Sequence, residues 1–123
     1  MKKLLGITLI SLLMAASRAP AATQSLGGVN LTAVAPRILT PNDDAGNDKV
    51  FFQFDDTLAG LPLETAVYDL RGAKVSDLVM NSNATALTWN GKNTDGQFLP
   101  AGIYIYSIRI GKNAATGTVV VAR

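Results

Sequence analysis

The chain has 123 residues with neither Cys nor His, a formal net charge of +2 and a hydrophobic fraction of 48%. Without Cys and His it lacks Ser-His-Asp and Cys-His catalytic sets and the two preferred zinc ligands. The length allows one domain, and without disulfides its stability must come from the core alone.

Residues 1–21 have the pattern of a secretory signal peptide. A basic start at Lys2 and Lys3 precedes an apolar run over 4–14, which is shorter than the roughly 20 residues that a transmembrane helix needs. The small residues of Ala19-Pro20-Ala21 predict cleavage after Ala21. We therefore expect an exported protein, located in the periplasm, at the outer surface or outside the cell, with no membrane span in the mature form.

The basic pI near 9.1 comes largely from this first segment. Without residues 1–21, eight Lys and Arg face nine Asp and Glu, which is a net charge of −1. A nucleic-acid partner would need a basic face in the folded domain, so we expect none.

The rest of the chain consists of short β-like segments separated by turn residues. Residues 22–28 predict a flexible leader. Val50, Phe52 and Phe54 alternate with other residues in the period of a half-buried strand. The turn Arg71-Gly72-Ala73 predicts a hairpin. The expected strands are 29–34, 50–55, 63–70, 74–80, 86–90, 103–110 and 116–122, and nothing after residue 21 has helical periodicity.

About seven short strands with frequent turns predict an all-β protein with a single immunoglobulin-like or fibronectin-like antiparallel β-sandwich. The expected organisation is a signal peptide over 1–21, a leader and first weak strand over 22–35, and the sandwich over 36–123.

Strand alternation also predicts which side chains face the core. Tyr104, Tyr106, Ile108 and Ile110 share one face of a strand whose other face carries Ser107 and Arg109, so we expect the tyrosine face inside. Leu87 and Trp89 also share a face, which favours a core position for Trp89 over a sugar-stacking platform.

One loop is rich in oxygen ligands of the kind that Ca²⁺ prefers. Its spacing does not fit an EF-hand, and a series of Asx-turns is the alternative. No other cofactor is expected. The candidate calcium ligands are Asn42, Asp43, Asp44, Asn47 and Asp48.

Carboxylates are the main remaining route to acid–base catalysis, and most Asp residues stand in turn sequences. We therefore expect a protein that is not an enzyme.

Five short motifs occur in an order and spacing that resemble the gliding-motility-associated C-terminal domain, the type B sorting domain of type IX secretion. They begin with the stretch over 39–48 and Tyr68-Asp69-Leu70-Arg71-Gly72, continue with Trp89-Asn90-Gly91 and the stretch over 96–106, and end with 117–123. The second half also resembles the immunoglobulin-like domain of the flagellar hook-capping protein. The motif residues are Pro41, Trp89, Gly91, Gly96, Pro100, Gly102, Tyr104 and Tyr106.

The resemblance implies a module for sorting, attachment or another protein interaction at the cell envelope, with secretion machinery or an envelope protein as partner. The last strand is the candidate for pairing with that partner, and an ordinary edge strand is the alternative. A self-associating appendage subunit and a calcium- or carbohydrate-binding module are the other functions considered. The candidate interaction residues are Thr116, Gly117, Thr118, Val119, Val120, Val121 and Arg123.

Overall fold

A computed structural model describes residues 23–41 and 46–122. Within these residues the chain forms ten strands and no helix, which confirms the predicted all-β sandwich. The strands are β1 (Gln24–Ser25), β2 (Asn30–Ala35), β3 (Ile38–Leu39), β4 (Val50–Phe54), β5 (Leu63–Tyr68), β6 (Lys74–Ser76), β7 (Val79–Met80), β8 (Ala86–Trp89), β9 (Gly102–Ile110) and β10 (Asn113–Val121).

The strands form two five-stranded sheets. The first sheet has the order β1-β2-β4-β8-β7, and the second has the order β3-β10-β9-β5-β6. Adjacent strands are antiparallel except β3 and β10, which run parallel. In the part of the chain that is described, no helix is long and apolar enough to cross a membrane.

The core lies where the inner faces of the two sheets meet. Val50, Phe52 and Phe54 are buried while Phe51 is exposed, as their alternation predicts. The tyrosine face of β9 is also inside, and the rings of Phe52 and Tyr106 meet edge to face at 4.8 Å between centroids. This contact joins the two sheets near the middle of the sandwich.

The predicted strand over 74–80 is wrong in one respect, because it divides between the two sheets. β6 completes the expected hairpin with β5, whereas β7 pairs with β8 in the other sheet. Between them the buried Leu78 enters the core, and its backbone N–H donates to Thr65 Oγ1 at 3.1 Å. The chain therefore crosses from one sheet to the other between β6 and β7, although the apolar residues of 74–80 are compatible with one continuous strand.

The predicted flexible leader is wrong for residues 24–26. Gln24 and Ser25 pair with β2, and Leu26 is fully buried with its N–H bonded to the carbonyl of Val29 at 2.8 Å. The two-residue strand β3 was likewise not predicted, since an element so short has no measurable period. The predicted signal peptide lies outside the described residues and stays a prediction.

Candidate interaction surface

Most of the motif residues meet at one end of the sandwich, which we call the motif end (Pro41, Trp89, Gly91, Pro100 and Tyr104). Trp89 is 3% exposed, and its indole N–H donates to the carbonyl of Lys92 at 3.0 Å. Its ring packs edge to face on Tyr104 with 5.6 Å between centroids, and the Tyr104 hydroxyl donates to the Pro100 carbonyl at 2.6 Å. The prediction that Trp89 belongs to the core is confirmed.

Gly91 is required at the motif end for two reasons. Its φ is +77°, and an added Cβ would lie 3.2 Å from Pro41 Cγ. Its carbonyl also accepts a hydrogen bond from the N–H of Leu99 at 3.1 Å. The motif therefore brings the loop before β4, the turn after β8 and the turn before β9 into contact.

The two remaining motif glycines lie beside this cluster. Gly96 closes a turn in which its N–H donates to the Asn93 carbonyl at 3.0 Å, and Gly102 is the first residue of β9. All the motif residues are thus placed in packing or turn positions.

The calcium candidates are placed only in part. Asn42, Asp43 and Asp44 lie outside the described residues. The carbonyl of Asn47 accepts a hydrogen bond from the N–H of Thr40 at 2.9 Å, which joins the two ends of the loop, and Asp48 is half-buried. Over 23–41 and 46–122 no three His, Cys, Asp or Glu residues group as metal ligands would. A calcium site here stays a prediction.

The pKa shifts of the described residues arise in turns and at exposed pairs. The backbone N–H and the side-chain amide of Asn30 both donate to the Asp55 carboxylate at 2.8 Å and lower its pKa. The N–H of Ala73 lowers the pKa of Asp69, chiefly by donating to its carboxylate. The hydrogen bond to Asp77 at 2.8 Å raises the pKa of Lys74. Each shift has a structural cause at a turn or strand end.

The last strand, β10, contains six of the predicted interaction residues, while Arg123 lies outside the described residues. β9 pairs with it along its whole length on one side. On the other side β3 pairs only with Val120 and Val121. Val119 and Val121 are buried in the core, so these two side chains are not available at the surface.

The uncovered part of β10 has a defined backbone orientation. The N–H groups of Val120 and Ala122 donate to the carbonyls of Arg37 and Leu39 at 2.8 and 2.7 Å, so even-numbered residues direct their backbone groups away from β9. The Thr118 carbonyl follows this rule and accepts from Arg37 Nη1 at 3.3 Å. We call residues 114–118 the free edge, because no other described strand pairs with them on this side.

The residues of the free edge themselves lack the features that normally prevent strand addition, while β1 lies near β10 and Gly27 lies against the Asn113 side chain just before the edge. Its sequence is Ala114-Ala115-Thr116-Gly117-Thr118, with neither a charged residue nor Pro, whereas edge strands usually carry charges, Pro or a bulge.

The sequence predicted the last strand but not the contacts of Arg37 and β3 with it. Their proximity to β10 comes from long-range pairing, and no local pattern signals it.

Comparison with known proteins gives a family and a fold neighbour. The family model described as CHU_C type IX secretion signal domain matches residues 33–121. A solved structure of PorZ, described as an essential bacterial surface component of the type IX secretion system of Porphyromonas gingivalis, is similar with a TM-score of 0.52 and 21% identity. That match covers 78% of this chain and 12% of PorZ, so the likeness concerns the fold of one part of it. No curated protein matches this chain.

Proposed function

Because the chain belongs to the CHU_C type IX secretion signal domain family, we propose that it is a folded, non-catalytic export module recognised by a protein of the type IX secretion machinery. The observation that carries this proposal is the family match, which extends from β2 to the end of β10 and so includes nearly the whole sandwich. The destination is the cell surface or the extracellular space.

The structure supports recognition of a folded surface rather than of a short linear signal. The motif residues are distributed over the loop before β4, the end of β8 and the start of β9, and they meet only after folding. A partner that selects this domain therefore contacts surfaces held in place by the sandwich, and the free edge of β10 is the candidate contact.

Export of the full chain tests this function. The chain with a small epitope tag is expressed in a bacterium with a type IX system and in an isogenic strain that lacks the secretion machinery. We expect the tag at the surface or in the medium of the first strain, and retention inside the outer membrane of the second. An identical distribution in both strains would overturn the proposal. Protease resistance checks that the retained chain is folded.

A further inference from the structure

We propose that the free edge of β10 and the groove beneath it form a strand-acceptor site, which binds an extended, uncharged segment of the partner protein with acidic residues at its ends. This inference rests on the proposed function, since the partner is taken to be the protein of the secretion machinery that recognises the domain. It adds the place of contact, the binding mode and the chemistry of the bound segment.

The backbone of the free edge supplies the hydrogen-bonding groups. Ala114 and Thr116 each direct an N–H and a C=O outward, and Thr118 directs its N–H outward, as the alternation from Val120 and Ala122 requires. Five residues at about 3.3 Å each give a site about 16 Å long. β3 and Arg37 close one end of it, so an added strand continues the line of β3 along β10.

A groove between the edges of the two sheets lies beside this site. It has a volume of about 280 Å³, which is several times the roughly 30 Å³ that one water occupies in the liquid. It is lined by Gln24, Tyr106, Arg37 and residues 31–35. β10 residues 115, 117 and 119 face inward. An added residue opposite Gly117 would point the same way, into the groove, where we expect a branched apolar side chain.

Gly117 and Tyr106 determine how far this groove opens. They are direct cross-strand partners, and a Cβ on Gly117 would lie 2.5 Å from the Tyr106 hydroxyl oxygen and 2.7 Å from its Cζ. Without that Cβ the tyrosine ring lies across β10 and its phenol lines the groove. Because the φ of Gly117 is not positive, its backbone conformation does not require glycine. Glycine is needed there for the space that the Tyr106 ring occupies.

Charge favours an acidic segment over a second copy of this chain. Arg37 lies at one end of the free edge, and Lys112 precedes the other end, where Arg109 is the cross-strand partner of Ala114. Glu64 is the cross-strand partner of Arg109 on its other side, away from β10. A twofold dimer pairing two free edges about Thr116 would place Arg37 of each copy near Lys112 of the other, and like charges oppose that arrangement.

Two substitutions at Thr116 test the site in the export assay. Thr116→Pro removes an outward N–H while leaving the β9 pairing intact, and Thr116→Lys adds a charge of the kind that blocks edges. The matched control is Gln53→Lys, an exposed position on β4, which is paired on both sides. We expect machinery-dependent export to fall about tenfold for both Thr116 variants and to stay at the wild-type level for the control.

The outcomes separate the two proposals. If wild type is exported only when the machinery is present and both Thr116 variants, folded by circular dichroism, are exported equally well, the strand-acceptor site is wrong and the export function stands. If wild-type export does not depend on the machinery, both are overturned. Loss of export by Gln53→Lys to the same degree would also overturn the strand-acceptor site, because charge anywhere on the surface would then suffice.

A peptide titration tests the binding mode directly. The probe is the synthetic peptide Asp-Thr-Val-Thr-Val-Asp, added to the ¹⁵N-labelled chain and followed by amide chemical shifts. We expect saturable shifts at Ala114, Thr116 and Thr118, a loss of the Ala114 and Thr118 shifts in Thr116→Pro, and weaker binding when both Asp residues of the peptide are Lys. Shifts that are absent, or spread evenly over both sheets, would contradict a strand-acceptor site.

Discussion

The motif end and the free edge of β10 use their residues in opposite ways. At the motif end the distinctive side chains contact one another. The ring of Trp89 packs on Tyr104, and the Tyr104 hydroxyl donates to the Pro100 carbonyl at 2.6 Å. At the free edge the side chains are small and common, and the distinctive feature is backbone without a described strand partner. The motif residues thus maintain the fold, and the surface that we propose for a partner consists of ordinary residues.

This difference separates stability from recognition. Substitutions at the motif end remove packing and hydrogen bonds that are already formed in the isolated domain, so they act on the free energy of unfolding. Substitutions at the free edge change exposed groups that pack on little in the isolated domain, so we expect them to act on the proposed binding instead. Gly117 is the exception, because it lies at the edge and yet contacts the core residue Tyr106.

Trp89→Ala is the largest expected effect and tests the motif end. Removing a buried Trp leaves a cavity beneath Tyr104 and should lower the free energy of unfolding by about 3–5 kcal/mol. Urea denaturation of both proteins measures this difference. Phe98→Ala, at an exposed ring on the same end, is the control and should cost much less. Equal losses for the two variants would contradict a packing role specific to Trp89.

Gly117→Ala tests the residue at which the two regions meet. The new Cβ must displace the Tyr106 ring, so we expect a loss of about 1–3 kcal/mol, measured by thermal unfolding. Thr116→Ala, next to it and exposed, should change the stability by less than about 0.5 kcal/mol. If Gly117→Ala were as stable as wild type, the close approach of Tyr106 to β10 would be wrong.

Tyr104→Phe sharpens the comparison by removing one hydrogen bond from the motif end. The ring still packs on Trp89, so the loss should be about 1 kcal/mol, the usual net value of such a bond. Equilibrium denaturation measures it, and export should stay at the wild-type level, because the Tyr104 hydroxyl bonds to Pro100 and not to β10. A large export defect in the folded variant would place recognition at the motif end instead.

Asp55→Asn is the smallest expected effect and concerns neither region. Asn30 lowers the pKa of Asp55 from its usual 3.8, so the ionised form stabilises the folded state above that value. The contribution is lost as pH falls through the lowered pKa. We expect the melting temperature of Asp55→Asn to depend less on pH below about pH 4 than that of wild type.

A second variant separates the two donors to Asp55. Asn30→Ala removes the side-chain amide but keeps the backbone N–H, which is the larger cause of the lowered pKa. We expect its melting temperature to follow a pH dependence between those of wild type and Asp55→Asn. Identical curves for all three proteins would contradict the assigned cause.

Strand positions and core faces were largely predictable because they depend on neighbours along the chain. The alternation of Val50, Phe52 and Phe54, and that of Tyr104 and Tyr106, predicted which faces are buried. Residues 74–80 show the limit of this reasoning. Their apolar residues are compatible with one strand, and only the pairing of β7 with β8 divides them between two sheets.

The sequence predicted the strand that contains the candidate site but not which of its residues are left uncovered. The sequence alone determined that β10 is a strand of small and β-branched residues closing the domain, and that the motif residues belong to a recognisable family. Only the tertiary structure decided that β3 covers Val120 and Val121 and leaves residues 114–118 open. The reason is that burial by alternation is a local property, whereas edge coverage requires contacts such as that between Arg37 and Thr118, 81 positions apart.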